Sequence, residues 1–251
     1  MSVTREIDAL IGAIRFFTRL PLPGQRGHNS ASLECAMRYF PVAGLLVGAF
    51  AALAYTLAAL VWPKTLAVLA AIALAIVLTG ALHEDGWCDM VDGFGGGASR
   101  ERVLEIMRDS SVGSYGALAL IVLLFARFFA LLEIDAVFVA PALVAGHAVS
   151  RLCSTVVMAR LDYVRPQGKA SPFTHRLKSG DLVLAGLPAL LPCLWLPRLP
   201  ALVGLVLAGL ATHWLAGLFR RRLGGYTGDC LGATQQVAEL AFYLGLLVRV
   251  G

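Results

Sequence analysis

Residues 40–82, FPVAGLLVGAFAALAYTLAALVWPKTLAVLAAIALAIVLTGAL, carry a single charge, Lys64. A run this apolar is long enough to cross a bilayer twice, because each helical crossing of about 30 Å takes ~20 residues. Trp62-Pro63-Lys64 divides it into spans near 40–62 and 65–82. The same composition recurs near 114–132, 137–158, 182–197, 200–218 and 232–249, which predicts about seven spanning segments. The fifth is short and holds Pro188 and Pro192, so a kinked or re-entrant segment is expected there. The 251 residues are 58% hydrophobic and 15% charged, with a mean hydropathy of +0.76. A soluble chain carries about a quarter charged residues. The expected fold is all-α: one polytopic membrane helical bundle over residues 1–251.

Outward from that run, the N-terminal stretch repeats apolar residues at helical spacing (Ile7, Leu10, Ile11, Ile14, Phe17), with Arg5, Asp8, Arg15 and Arg19 mostly opposite. This predicts an amphipathic helix at the membrane interface, stopping near Pro21 and Pro23. Gln25–Ser32 reads as a polar loop. The interrupted apolar pattern is not that of a signal peptide. With the N-terminus placed in the cytoplasm, the segments 1–38, 83–113, 159–181 and 219–231 hold sixteen of the twenty-one Lys and Arg residues. The opposite side keeps only Lys64, Arg198 and Arg249. That bias fixes orientation, and it brings those four segments to one cytoplasmic face of the inner membrane. The net charge of +5 is accounted for in this way, and no basic patch interleaved with exposed aromatics argues for nucleic acid. The five cysteines are scattered without a ligand-like pair, which argues against zinc or a disulfide framework.

Beyond Leu82 the chain changes character. HEDGWCDMVDGFGGGASRERVLEIMRDSSVGSYG, residues 83–116, concentrates seven of the sixteen acidic residues. Asp85, Asp89 and Asp92 are spaced i, i+4, i+7, an arc of about 60° on a helix. If the second span continues past Leu82, all three carboxylates leave one face at its cytoplasmic end. Their mutual repulsion, and their opposition to the helix dipole there, call for a cation. Hard oxygen donors without a His/Cys set favour Mg²⁺, with Mn²⁺ the alternative. Gly95, Gly96 and Gly97 follow directly, ahead of a helix start at Ser99, and suggest backbone N–H groups turned toward phosphate. Arg102 and Arg108 lie on the next short helix. Glu101 and Glu105 read as its exposed charge lattice, whereas Arg108 and Asp109 sit at a break before the third span.

A second constellation, Gly224-Gly225-Tyr226-Thr227-Gly228-Asp229 followed by Gln236 and Glu239, lies between the last two spans. Asp229 is a candidate fourth metal ligand. Glu239 falls about two turns inside the last span, where an ionisable residue is functional by default. The 159–181 loop is basic, and Arg160 and Arg165 are candidates for phosphate contact or for plain membrane anchoring. His83 abuts the aspartates as ligand, base or supporting group. Arg127 and Arg151, inside spans, need partners, for which Glu133 and Asp162 are the candidates.

The blocks HEDGWCDMVDGFGGG with EIMRDSSVGSYG, and GGYTGDCLGATQQVAE, resemble the signatures of the cobalamin synthase family, the adenosylcobinamide-GDP ribazoletransferases. Phe17-Thr18-Arg19-Leu20-Pro21 and Tyr39-Phe40-Pro41 are similar to that family's N-terminal pattern. The resemblance implies a Mg²⁺-dependent inner-membrane transferase acting in vitamin B12 biosynthesis. The ribose hydroxyl of α-ribazole, or of its 5′-phosphate, attacks the phosphate of adenosylcobinamide-GDP that carries the corrin arm, and GMP leaves. It implies Asp85, Asp89, Asp92 and Asp229 as metal ligands, and Asp92, Asp109, His83 and Glu239 as candidates for proton transfer. Gly95, Gly96, Gly97, Arg102, Arg108, Arg19, Arg160, Arg165, Thr227 and Gln236 are the expected substrate contacts. Membrane lipid is the other expected partner, and a homo-oligomer is left open. Asp89-Met90-Val91-Asp92-Gly93 imitates a CDP-alcohol phosphotransferase, but no Ala-Arg follows at 96–97. A divalent-cation transporter would place acids deep in several spans rather than at one edge.

Overall fold

The computed structural model describes residues 3–22, 35–165, 177 and 179–248. The expected loop at 25–32 and the basic residues Lys169, Arg176, Lys178 and Arg249 lie outside these. The chain runs through α1 (Val3–Phe17), a 3-10 turn (Met37–Tyr39), α2 (Phe40–Ala59), α3 (Lys64–Thr79), α4 (Leu82–Gly96) and α5 (Arg100–Ile106). It continues through α6 (Ser114–Glu133), α7 (Ala136–Arg160), α8 (Ser179–Leu190), a 3-10 turn (Leu191–Trp195), α9 (Arg198–Leu223) and α10 (Gly228–Leu246). Among the described residues the only β pairing is an isolated bridge between Tyr163 and Tyr226.

Four stretches are long and apolar enough to cross a membrane: Met37–Ala59, Ser114–Glu133, Ala136–Arg160 and Arg198–Leu223. The α3–α4 pair makes a fifth if it is taken as one bent span. Length and composition therefore support four or five crossings, not about seven. Two of the expected spans fall short for different reasons. Ser179–Leu190 is short, contains Pro188, and tightens to 3-10 geometry from Leu191. α10 is long enough but buries Thr234, Gln235, Gln236 and Glu239. It packs against α4, α6, α7 and α9, so its neighbours rather than an apolar surface shield its polar groups.

The expectation of one helix running from the second span through the aspartates is corrected by the backbone. α3 stops at Gly80, which adopts φ 65°, and Ala81 follows at φ 58°. The Ala81 N–H reaches back to the Ile76 carbonyl at 2.9 Å, closing the end of α3 as a Schellman-type cap. α4 then departs at 84° to α3. The three aspartates still share one helix, but it is α4, set at an angle to α3, and not a continuation of the span.

Helix packing relies on small residues. A Cβ built on Gly44 or Gly48 of α2 would lie within 3.0 Å of the α7 backbone at His147–Ala148 or Leu143–Val144. This spacing of small residues is what lets two membrane helices touch backbone to backbone. One apolar core, including Val47, Tyr55, Val68, Leu131, Val139 and Phe242, fills the end of the bundle near the α6–α7 turn. A second, including Phe17, Met37, Phe40, Met90, Met158 and Phe219, lies beneath α4 and α1. The functional side chains gather above this second core.

Candidate functional site

α4 and α10 meet with almost no side chain between them. A Cβ on Gly86 would sit 3.0 Å from the Asp229 Cα, and one on Gly232 would sit 3.3 Å from the His83 Cα. This approach carries Asp229 to the aspartates of α4. Thr227 begins α10 by accepting the Cys230 N–H at 3.3 Å, a side-chain N-cap that fixes the backbone beside Asp229. The bridge at Tyr163–Tyr226 ties the chain after α7 to the same corner, with Tyr226 N donating to Asp162 O at 2.9 Å and Val164 N to Tyr226 O at 3.0 Å.

The result is a cavity of about 330 Å³ built from six separate parts of the chain. α4 contributes Leu82, His83, Asp85 and Asp89, and α10 contributes Gly228, Asp229, Leu231 and Gly232. Met107 and Arg108 enter after α5. Ser154 of α7 joins them, with Tyr163 and Arg165 beyond it. Phe16, Phe17 and Phe40 close the side formed by α1 and α2.

The carboxylates are electrostatically uncomfortable. Burial, Asp229 and Asp85 push the Asp89 carboxyl up to about 7. Burial also raises Asp229, against the pull of Arg165. Arg165 Nη2 lies 2.9 Å from Asp229 Oδ2 and also donates to the Met107 carbonyl at 3.1 Å, while its Nε has no partner among the described residues. Burial and the nearby Arg151 hold the His83 imidazole well below its ordinary value. Among the described residues no three His, Cys, Asp or Glu side chains form a ready-made metal cage. The donor chemistry nevertheless fits a hard divalent cation: three carboxylates share one cavity, and their repulsion is of the kind that bound positive charge relieves.

Asp92 stands apart from that set. Its Oδ2 accepts the Gly113 N–H and its Oδ1 the Gly116 N–H, both at 2.8 Å. Both oxygens are thus spent on the first turn of α6, satisfying N–H groups that a helix start leaves open. Asp109 is exposed, and its carboxylate, accepting the Ser111 N–H at 2.9 Å, is held below the usual range by that bond. Gly95 and Gly96 belong to the last turn of α4 and Gly97 caps it. Cβ atoms there would meet Tyr115, Ile106 and Val103, so these glycines admit α5 and α6 close to α4. Arg102 pairs with Glu105 at 2.7 Å on the surface. Arg19 donates to the Gly80 carbonyl at 3.4 Å, bracing the α3–α4 bend. Arg160 lines a separate groove between α7 and α9 with His213. Of the residues singled out from sequence, His83, Asp85, Asp89, Arg108, Arg165 and Asp229 therefore line one cavity, with Thr227 bracing it.

Glu239 and Gln236 belong to a buried network behind α4. Glu239 Oε2 accepts from Gln235 Nε2 at 2.6 Å and lies 3.0 Å from His147 Nδ1, and its Oε1 lies 3.7 Å from Arg127 Nε. Arg127 Nη1 is also 3.6 Å from Glu84 Oε1, which accepts from Gln236 Nε2 at 2.9 Å. Arg151 donates to the His147 carbonyl at 2.9 Å. The expected partners for the two buried arginines, Glu133 and Asp162, are corrected to Glu84, Glu239 and His147. Sequence reasoning missed Glu84, which adjoins His83 and Asp85 but faces the bundle. It also missed the aromatic wall, whose only signal was Phe16-Phe17 immediately before the Pro21 stop and Tyr39-Phe40 before Pro41.

Comparison with known proteins follows the same boundaries. Residues 9–247 match a protein-family model described as Cobalamin-5-phosphate synthase. An adenosylcobinamide-GDP ribazoletransferase from Ralstonia pickettii is 43% identical over 255 residues, covering 98% of each chain. Proteins of the same name from Shewanella amazonensis and Shewanella frigidimarina are 42% and 39% identical over 250 and 248 residues, with at least 95% of every chain covered. No solved structure matches the chain.

Proposed function

The chain belongs to the cobalamin-5-phosphate synthase family, and from that membership we propose that it is an adenosylcobinamide-GDP ribazoletransferase. A ribose hydroxyl of α-ribazole, or of its 5′-phosphate, attacks the phosphate bearing the corrin arm. The bond to the GMP phosphate breaks, GMP leaves, and the hydroxyl proton passes to the protein. The observation that carries the reading at the site is the meeting of Asp85, Asp89 and Asp229 with Arg108 and Arg165 in one cavity. Phosphoryl transfer asks a protein chiefly to position the reactants and to balance charge, and this lining offers both signs of charge at one place.

Asp85, Asp89 and Asp229 are the residues that would hold Mg²⁺ or Mn²⁺. When bound, such a cation neutralises the diphosphate and eases departure of GMP. Arg108 and Arg165, which line the cavity, take further phosphate charge. The hydroxyl proton would pass to a cavity carboxylate oxygen that the cation leaves free. Asp92 acts indirectly, by fixing the α4–α6 corner.

The membrane reading extends the four or five crossings. Lys64 Nζ donates to the Leu132 and Ile134 carbonyls, and Glu133 to Asp135 share a cavity with Leu196, Pro197 and Leu246 to Val248. The α2–α3, α6–α7 and α8–α9 turns therefore share one end with the end of α10, and the acidic cavity lies at the other. This supports α8 with its 3-10 turn, and α10, as additional crossings shielded by their neighbours, with the cavity on the cytoplasmic side of the inner membrane.

The test uses membranes containing the chain, incubated with adenosylcobinamide-GDP, α-ribazole and Mg²⁺. GMP and a cobalamin are expected to appear together, and both are expected to vanish with EDTA. Absence of GMP from well-inserted protein across Mg²⁺ and Mn²⁺ would refute the assignment.

A further inference from the structure

α7 and α9 are two of the four stretches long and apolar enough to cross a membrane, and they end at the same corner. The bridge between Tyr163 and Tyr226 forms just beyond the last residue of each helix. Further along, Cys153 Sγ lies 4.0 Å from the Ala208 carbonyl oxygen. Beside this contact the two helices leave a groove of about 240 Å³. Val149, Cys153, Val156 and Arg160 line it from α7, and Gly209, His213 and Ala216 line it from α9. The α9 set continues to the exposed Arg220. Both sets are spaced i, i+4, i+7, i+11, an arc of about 60° on a helix. Each wall is therefore mostly apolar along its length and ends in an arginine at the same end of the bundle.

Gly209 gives the groove a second signature. A Cβ on Gly204, in the same helix, would lie 2.8 Å from the Phe242 carbonyl oxygen, so that glycine admits α10. A Cβ on Gly209 would meet nothing within 4 Å among the described residues. Glycine weakens a helix relative to alanine, and no neighbour within the chain calls for it here. The gap it leaves opens outward, toward the bilayer. The groove lining holds no carboxylate, and among the described residues the Arg160 and Arg220 guanidiniums have neither a hydrogen bond nor an ion pair. We infer that this groove is a binding site for one anionic phospholipid, with an acyl chain lying along Val156 and Gly209 and the phosphate held by Arg160. The His213 ring can add an N–H donor, and Arg220 stands one turn beyond Ala216. A partner helix, roughly 10–12 Å across with its side chains, does not fit so narrow a gap, whereas a hydrocarbon chain does. Two arginines without carboxylates favour a headgroup of net negative charge over a zwitterionic one, whose own cation offsets its phosphate.

The experiment uses the full chain, purified in neutral detergent, freed of lipid and titrated with dioleoyl phosphatidylglycerol or dioleoyl phosphatidylcholine. Native mass spectrometry follows the lipid retained, and melting temperature is recorded alongside. Wild type is expected to retain one phosphatidylglycerol, bound about fivefold more tightly than phosphatidylcholine, the scale of one arginine beside an anionic lipid. Arg160→Gln should abolish that preference while leaving the lipid-free melting temperature unchanged. Gly209→Leu projects into open space, so its lipid-free melting temperature should not fall. It should weaken both lipids by about fivefold, through lost packing of the chain. The inference is overturned if wild type binds the two lipids equally, if Arg160→Gln keeps the preference, or if Gly209→Leu leaves both affinities unchanged. A lower lipid-free melting temperature for Gly209→Leu would mean that the protein itself fills the gap, and overturns it too. Competition by glycerol phosphate, which has no chains, would make this a free-phosphate site instead. A wild-type dimer that Gly209→Leu splits would give the groove to a second copy of the chain, and either result refutes the lipid.

Discussion

Asp85 and Asp92 lie seven residues apart on one helix, and the structure gives them separable tasks. Asp85 faces the cavity, whereas both Asp92 oxygens hold backbone N–H groups at the start of α6. Asp85→Asn is expected to lower GMP release at least a hundredfold with no fall in melting temperature. Asp92→Asn leaves one buried N–H facing an amide that can satisfy only one of the two, at a cost of about 1–3 kcal/mol. Its melting temperature should drop by several degrees, and activity should fall with it. Equal melting temperatures for the two variants would contradict this division. Asp89 offers a pH signature. Its folded pKa of about 7 lies above the ordinary 3.8, so the folded state binds more protons through that interval and stability is lost as pH rises across it. Without divalent cation, Asp89→Asn should therefore melt higher than wild type at pH 8, and the gap should narrow as pH falls toward 4. A gap that widens on acidification would mean the carboxyl is not strained. Spacing put Asp85 and Asp89, which line the cavity, on one helix face together with Asp92. The capping role of Asp92 was not legible in the sequence, because i, i+4, i+7 shows which residues share a helix face but not which neighbour that face meets.

At the scale of elements, the decisive event is the bend at Gly80–Ala81. Helical periodicity continues from α3 into α4, so a one-dimensional reading joins them, and the break rests on two consecutive left-handed residues, one of them an alanine. The 84° turn swings Glu84 into the bundle, where it meets Arg127 and Gln236. This is why the partners of Arg127 could not be found by looking along its own helix. The network then fastens α4 to α6, α7 and α10. Removing one member strands the rest, and breaking a buried pair costs about 3–5 kcal/mol. Arg127→Met and Glu239→Gln are each expected to lower the melting temperature markedly in detergent. The double variant should lose less than the sum of the two, because each change relieves part of what the other leaves unpaired. Strict additivity in the cycle would show that the two side chains do not interact. The glycines of residues 95–97 teach a related lesson. A glycine run before a helix start signals either a phosphate loop or close helix packing, and only the proximity of Tyr115, Ile106 and Val103 distinguishes them.

At the scale of the molecule, the arginine count that suggests orientation also contributes to assembly. Arg222 donates to the Phe94 and Gly97 carbonyls at 3.0 and 2.6 Å, and Arg100 donates to the Leu223 carbonyl at 2.7 Å. These bonds satisfy carbonyls that helix ends leave open and tie the end of α9 to α4 and α5. The all-helical, apolar character of the fold was legible from sequence because apolar runs are a one-dimensional signal. Apolar runs count α10 as a span, whereas the structure shows its polar residues buried among helical neighbours, so length and composition alone support four or five. Topology remains testable independently of catalysis. If the helices alternate in direction as the shared ends imply, reporters inserted after Gly97 and after Gly224 should fall on one side of the membrane. Those inserted after Trp62 and after Asp135 should fall on the other. The excess of Lys and Arg beside the first pair predicts that the reporters there read as cytoplasmic. A cytoplasmic signal from Asp135 together with Gly97 would mean that α6 does not cross.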